Sequence, residues 1–109
     1  MNKKMELNQI KYFLEVAKNE HVTKSADNLH VAQPALTQSI HKLEEELEIP
    51  LFKHDGRNIK LTTYGQWLYK KLTPIVKEID EIPEQLKQKV KTINQRHHFD
   101  ASTQQTNIK

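Results

Sequence analysis

The chain has 109 residues, of which 36% are hydrophobic and 28% charged, and it contains no cysteine. This length allows one small domain with extensions. No apolar run approaches the ~20 residues of a membrane span, and the N-terminal sequence lacks the apolar core of a signal peptide. A disulfide framework, thiolate chemistry and a cysteine zinc site are excluded. We therefore expect a cytoplasmic protein with no membrane contact.

The net charge of +3 and the pI of about 9.1 favour nucleic acid only weakly. Residues 1–62 hold 9 Lys/Arg against 9 Asp/Glu, and residues 63–109 hold 8 against 5. The whole excess of positive charge therefore lies in the second part. The local placement of cations is more informative than the total.

Three helices are predicted in the first half of the chain. Apolar residues at helical spacing predict an amphipathic helix from Met5 to about Lys18. Thr23 is predicted to be the N-cap of a short second helix. His30 and Val31 would form the turn into a third helix. Two helices joined by a turn of about 3–4 residues have the spacing of a helix-turn-helix.

The third predicted helix, within residues 31–47, has two contrasting faces. Its apolar side carries residues at steps of four, three and four, which we predict to be core: Leu36, Ile40, Leu43 and Leu47. Its other side carries amide, hydroxyl, imidazole and ammonium groups that are able to meet base edges and phosphates, from Gln33, Thr37, Gln38, His41 and Lys42, and Pro34 lies on the same side. The alternative is that the polar residues are ordinary solvated positions, and that Lys42 pairs with Glu46 on the helix surface.

A β-hairpin is predicted after Pro50. Two short β-compatible runs, residues 51–54 and 58–61, flank Asp55-Gly56, and an Asp-Gly pair in this setting is a strong hairpin signal because the turn needs positive φ. We interpret the hairpin as a wing that presents three cations to the DNA backbone: Lys53, Arg57 and Lys60. As an alternative, Arg57 is merely a turn cation.

A long helix is predicted from Thr63, where Thr63 to Gln66 match a capping box. Its apolar residues follow nearly heptad spacing: Leu68, Leu72, Ile75, Ile79, Ile82 and Leu86, then Val90 and Ile93. Such a stripe must be buried. A second copy of the chain is the partner that we favour, and docking on the same subunit is the alternative.

Two prolines are expected to affect the shape of the long helix, and a polar segment is expected to end it. Pro74 and Pro83 predict a bent helix or two helical segments. The chain from Asn94 onward is polar and aperiodic, so we expect disorder there. We predict three parts: a winged helix-turn-helix domain at 1–62, a linker and dimerisation helix at 63–93, and a disordered tail at 94–109.

An enzyme is the first rival class and is disfavoured. The chain has only two glycines and no phosphate-cradling loop, and its histidines are scattered. We expect no catalytic residues, no cofactor and no metal. His97-His98 could bind a metal ion, but a lone pair in a polar tail is far more often incidental.

Collinear fragments from Met5 to about Leu86 resemble the N-terminal DNA-binding region of LysR-type transcriptional regulators. The residues that carry the resemblance are 5–19 (MELNQIKYFLEVAKN), 23–26 (TKSA) with 29–31 (LHV), 33–36 (QPAL), 43–47 (LEEEL), 49–52 (IPLF), 56–57 (GR) and 61–65 (LTTYG). Each fragment alone is weak, but together, in this order and spacing, they are highly specific.

The resemblance implies a mainly α fold: a winged helix-turn-helix of three helices and a β-hairpin wing, followed by a long helix that pairs two subunits. It implies double-stranded DNA as the partner and a homodimer that reads an inverted repeat. The positions that match the family's base contacts are Gln33, Pro34, Thr37 and Gln38, and those that match its backbone or wing contacts are Thr23, Lys53, Arg57 and Thr62.

Three positions depart from the family's pattern. Ala32 stands in place of the usual serine cap, Gln38 stands where arginine is frequent, and Glu48 stands where a glycine often ends the helix, so backbone strain is expected at Glu48.

Members of this family normally carry a large C-terminal effector-binding domain, which this sequence does not include. A second rival class follows: an interaction protein that pairs with other LysR-type subunits through its long helix and inhibits a full-length regulator. Mixing experiments discriminate the two classes, because such a protein dissociates another regulator from its operator, whereas a DNA-binding protein retards duplex by itself.

Overall fold

The computed structural model of the protein describes residues 4–56 and 58–96, except for the side chain of Arg96. The elements follow in the order α1 (Leu7–Asn19), α2 (Val22–Leu29), α3 (Gln33–Leu47), β1 (Phe52–Asp55), β2 (Asn58–Leu61) and α4 (Thr63–Arg96). The predicted fold class is confirmed: three helices, a two-stranded antiparallel hairpin and a long helix. The chain divides into two compact units, Met1–Val76 and Lys77–Lys109, so the first turns of α4 belong to the first unit.

The start of α2 differs from the sequence-based prediction. The helix begins at Val22, and its N-cap is His21, whose Nδ1 accepts a hydrogen bond from the Lys24 amide at 3.0 Å. The prediction that Thr23 is the N-cap was wrong, because the imidazole of the preceding residue already reaches the unpaired amide. This leaves the Thr23 hydroxyl available for another partner.

Each of the three short helices is followed by a residue in the left-handed region. The φ values are 51° at Glu20, 59° at His30 and 57° at Glu48. Glycine is the usual residue at such helix ends because it has no Cβ to clash. The strain expected at Glu48 is therefore confirmed by its backbone conformation, and two further helix ends share it.

The core of the first unit lies among α1, α2, α3, the base of the hairpin and the start of α4. Its buried residues are Phe13, Val16, Ala17, Ala26, Leu36, Ile40, Leu43, Leu51 and Leu72. The ring centroids of Phe13 and Phe52 lie 5.5 Å apart and the ring planes are tilted by 57°, so this aromatic contact joins α1 to β1. The predicted apolar face of α3 is thus buried, except that Leu47 is only half-buried.

The hairpin pairs Phe52 with Leu61, Lys53 with Lys60, His54 with Ile59 and Asp55 with Asn58. Asp55 is therefore the last residue of β1, whereas it was predicted as part of the turn. Gly56 follows with φ of 64°, which is the positive φ that a tight hairpin turn requires.

Helix α4 is a single element that continues through Pro74 and Pro83 to Arg96. Of the two predicted alternatives, division into two helical segments was wrong. The helix also extends past Asn94, where disorder was expected; residues 97–109, including His97-His98, lie outside the described residues. The N-cap of α4 is Thr62, whose hydroxyl accepts a hydrogen bond from the Gly65 amide at 3.0 Å. The predicted capping box had assigned this role to Thr63.

Candidate nucleic-acid interface

The outward face of α3 is lined by polar side chains, as a groove-facing role requires. Gln33, Pro34, Gln38, His41 and Lys42 are exposed, and Thr37 is partly buried. Together with Glu45 they border one shallow, open depression along the helix. The opposite face of α3 is anchored in the core by residues that are at most 6% exposed: Leu36, Ile40 and Leu43.

A hydrogen bond across the helix-turn-helix joins two of the predicted site residues. The Thr23 hydroxyl donates to Oε1 of Gln33 over 3.0 Å, and both residues are exposed. Thr23 lies in the first turn of α2, and Gln33 is the first residue of α3. The structure therefore pairs Thr23, which was predicted to contact the DNA backbone, with Gln33, which was predicted to contact a base. No sequence pattern indicated this hydrogen bond.

The strands of the wing place two cations side by side. Lys53 and Lys60 are directly paired across the hairpin, so their like charges stand on one face of the sheet. The Lys60 ammonium forms an ion pair with the Asp55 carboxylate at 3.2 Å, in which both side chains are more than half exposed. An exposed pair of this kind contributes little to stability. Arg57 lies outside the described residues.

Thr62 is engaged within the fold. Its hydroxyl donates to the Pro50 carbonyl at 2.7 Å and accepts from the Gly65 amide at 3.0 Å. A threonine hydroxyl has one proton to donate. The predicted contact of Thr62 with the DNA backbone would therefore compete with a bond that closes the base of the wing.

Glu44 orients the wing relative to α3 and was missed by sequence reasoning. Its Oε2 atom accepts hydrogen bonds from the amides of Leu51 at 2.7 Å and Phe52 at 3.2 Å. In the sequence it is one of four glutamates near the end of the helix, and nothing in that run distinguishes it from its neighbours.

A polar network fixes α1 to α2 beneath the turn. One oxygen of the Glu15 carboxylate accepts from the side-chain amides of Asn19 at 2.7 Å and Asn28 at 2.9 Å. The hydrogen bonds from Asn28 and Asn19 hold the pKa of Glu15 below its usual value. Ser25, which is fully buried, donates to the His21 carbonyl at 2.7 Å. The hydrogen bond from Asn28 to Glu15 therefore links α2 directly to α1.

The predicted dimerisation residues are divided between two environments. Leu72 is only 5% exposed and belongs to the core of its own chain, so its assignment to a dimer interface was wrong, because the start of α4 packs against the winged domain. Leu68 is partly buried against the same core. Ile75 is 42% exposed in the first unit; in the second unit Ile79, Ile82 and Leu86 are 39%, 53% and 53% exposed.

Residues 4–56 and 58–96 contain neither a cluster suited to a metal ion nor a helix suited to a membrane. These residues contain no cluster of three or more histidine, cysteine or acidic side chains placed to hold a metal ion. None of the helices in this part of the chain has the length and apolar composition needed to cross a bilayer.

Comparison with known proteins identifies relatives of this chain. Over 82 residues it is 49% identical to the transcriptional dual regulator GltC and 42% identical to the uncharacterized HTH-type transcriptional regulator YybE, both of Bacillus subtilis (strain 168). These matches cover 75% of this chain but only 27% and 28% of the relatives, so the chain spans little more than a quarter of their length.

Solved structures share the fold. The BenM_DBD/catB site 1 DNA complex matches with a TM-score of 0.73 at 36% identity, covering 77% of this chain and 93% of that one. The CbnR_DBD–DNA complex matches with a TM-score of 0.69 at 30% identity, covering 76% and 95%. The family model described as "Bacterial regulatory helix-turn-helix protein, lysR family" matches residues 7–66, which include α1 to β2 and the start of α4. The chain therefore belongs to the lysR family of bacterial regulatory helix-turn-helix proteins.

Proposed function

We propose that this chain binds double-stranded DNA in a sequence-specific manner, as the DNA-binding part of a bacterial transcription regulator. The observation that carries the proposal is the row of exposed polar side chains on α3, directly opposite a face that is buried in the core. Complexes of the BenM and CbnR DNA-binding domains with DNA, which share this fold, support it.

In the proposed complex α3 enters the major groove, which is wide enough to admit a helix. Gln33, Pro34, Thr37 and Gln38 occupy the first turns of α3 and contact base edges. A glutamine amide can pair in bidentate fashion with adenine, so Gln38 favours adenine where arginine would favour guanine. His41 and Lys42 lie one turn further along and contact phosphates.

The wing holds the register of the complex on the DNA backbone. Lys53 and Lys60 lie on adjacent strands, and Arg57 follows Gly56 in the sequence. If Lys42, Lys53, Arg57 and Lys60 contact phosphates in both subunits, about eight contacts give a slope of about −7 for the logarithm of affinity against the logarithm of salt concentration.

We further propose that α4 pairs two copies of the chain. Ile79, Ile82 and Leu86 recur at steps of three and four, so they share one side of the helix, and all are exposed. A stripe of large aliphatic residues on an exposed helix favours a helical partner. A two-fold dimer implies an inverted-repeat target whose half-sites are separated by about one helical turn or a multiple of it.

Selection of bound duplexes from a random pool, at stated salt concentrations, tests the function. We expect an inverted repeat to be enriched, and we expect Gln38→Ala to relax preference at one base position in each half-site. Lys18→Ala, an exposed cation at the end of α1, is the matched control and should bind like the wild type. Retention of random duplex without enrichment, or no retention in dilute buffer, would contradict sequence-specific binding.

A further inference from the structure

We propose that Thr23 is a positioning residue for Gln33: its hydroxyl fixes the glutamine amide with the –NH₂ group toward the groove, so that Gln33 selects guanine over adenine. This inference rests on the proposed DNA binding by α3 and goes beyond it, because it assigns a base preference and names the residue that sets it. The observation is the 3.0 Å hydrogen bond from the Thr23 hydroxyl to Oε1 of Gln33.

The local structure leaves Thr23 free for this role. The α2 cap is supplied by His21, whose Nδ1 accepts from the Lys24 amide, so the Thr23 hydroxyl does not cap the helix. Its one proton is donated to Gln33, ten residues away across the turn. Thr23 is β-branched, so only a few χ1 rotamers are open to its hydroxyl.

The hydrogen bond changes what Gln33 can recognise. Bidentate pairing of glutamine with adenine uses the amide oxygen to accept from N6 and the amide nitrogen to donate to N7. With Oε1 turned toward Thr23, the group presented to the groove is the –NH₂, which donates only. Guanine offers two adjacent acceptors, O6 and N7, whereas adenine places the N6 donor next to N7. Two donors facing each other are unfavourable, so adenine is disfavoured relative to guanine.

The hydrogen bond to Gln33 also distinguishes a positioning role of Thr23 from direct contact of Thr23 with the DNA backbone. A hydroxyl that donates to Gln33 cannot donate the same proton to a phosphate. If Thr23 instead bound a phosphate, its loss would weaken binding to every sequence by a similar factor, since phosphate contacts carry no base information. Positioning predicts a loss confined to the base that Gln33 contacts.

The test compares Thr23→Val, which keeps the shape of the side chain without its proton, with Thr23→Ser, which keeps the hydroxyl. Binding to duplexes with each base at every half-site position is measured at two salt concentrations for the wild type, both variants, Gln33→Ala and the Thr23→Val/Gln33→Ala double variant. Thermal unfolding verifies that each variant is folded. Thr23 is exposed, so loss of the fold is not expected.

We expect wild type and Thr23→Ser to favour guanine over adenine at one position by roughly fivefold or more. Gln33→Ala should abolish that preference, and Thr23→Val should reduce it while leaving the salt slope and the position contacted by Gln38 unchanged. The double variant should behave like Gln33→Ala, because Thr23 acts only through Gln33.

Several results would overturn the inference. A uniform loss of affinity in Thr23→Val would assign the hydroxyl to a phosphate, and an unchanged guanine preference would show that it does not position Gln33. A wild-type preference for adenine or cytosine at the Gln33 position would indicate the opposite amide orientation. Failure of the wild type to bind duplex would remove the proposed function itself, and this inference with it, so the two failures are distinguishable.

Discussion

Glu44 and Leu51 are joined by a 2.7 Å hydrogen bond, in which the carboxylate of the glutamate accepts from the amide of the leucine. Glu44 lies near the end of α3, and Leu51 immediately precedes β1. The same carboxylate oxygen also accepts from the Phe52 amide at 3.2 Å. The helix proposed to enter the groove thus holds the first strand of the wing, and the two parts of the interface are positioned by one side chain.

Removal of that carboxylate should destabilise the fold. We expect Glu44→Ala to lower the free energy of unfolding by about 1–3 kcal/mol, because the Leu51 amide loses its partner while Leu51 stays buried. Glu44→Gln keeps one acceptor oxygen and should lose less. Urea unfolding measures the free energy of unfolding of both Glu44 variants. Glu45→Ala is the control, because Glu45 is exposed. Equal stability of Glu44→Ala and Glu45→Ala would show that the hydrogen bonds contribute nothing.

Gly65 should tolerate no side chain. A Cβ atom there would lie 2.2 Å from the Leu51 carbonyl oxygen, which is backbone and cannot swing away. We expect Gly65→Ala to destabilise the fold by at least about 2 kcal/mol, as overpacking does. Gly56→Ala is the comparison: its Cβ meets nothing within 4 Å, and only its φ of 64° opposes the substitution.

The cost of Gly56→Ala should accordingly be about 1–2 kcal/mol, the cost of left-handed backbone for a residue with a Cβ. Chemical denaturation of the two variants shows directly which substitution lowers the free energy of unfolding more. A smaller loss for Gly65→Ala than for Gly56→Ala would show that the start of α4 can move away from Leu51.

The turn of the helix-turn-helix contains a site for stabilisation. His30 has φ of 59° and ψ of 43°, and its amide donates to the Ala26 and Asp27 carbonyls. Glycine adopts this conformation without steric cost, so His30→Gly should raise the free energy of unfolding by about 1 kcal/mol. His30→Ala is the control, because alanine keeps the Cβ; a similar gain in both variants would assign the effect to loss of the imidazole.

Acid should weaken the contact between α1 and α2 through Glu15. Hydrogen bonds from Asn28 and Asn19 lower the pKa of Glu15 in the folded state, so its charged form stabilises the fold above the ordinary pKa of a glutamate. That contribution is lost as the pH falls through the lowered pKa. Urea unfolding of wild type and Glu15→Gln from pH 7 to pH 3 should show a stability difference that shrinks with acid. A constant difference would contradict the linkage.

The proposed dimer depends on the exposed aliphatic residues of the second unit. Ile82→Asp places a charge among them and should give monomers in sedimentation experiments, because a buried unpaired carboxylate is costly. Gln88→Asp adds the same charge six residues later, on roughly the opposite side of the helix, and should leave the oligomeric state unchanged. Persistent dimers of Ile82→Asp would place the interface elsewhere.

The elements of this protein follow from local physics, so its sequence determined them. The steps of three and four among Leu36, Ile40 and Leu43 require a helix with one buried face, and the polar row on the other side is then fixed by the helical period. Asp55-Gly56 between two β-compatible runs requires a hairpin. The misplaced parts are element ends: His21 and Thr62 supplied caps that were assigned to Thr23 and Thr63, Asp55 joined β1, and α4 continued past Asn94.

The tertiary structure alone decided which partner each polar or apolar group finds. Leu72 and Ile79 occupy equivalent positions in the apolar periodicity of α4. Of the two, Leu72 is buried in the core of the winged domain, whereas Ile79 is exposed. Thr23 meets Gln33, and Glu44 meets Leu51, across turns whose angles no local pattern specifies. Helical and β periods depend on neighbours along the chain, whereas these contacts depend on how the elements are placed in space.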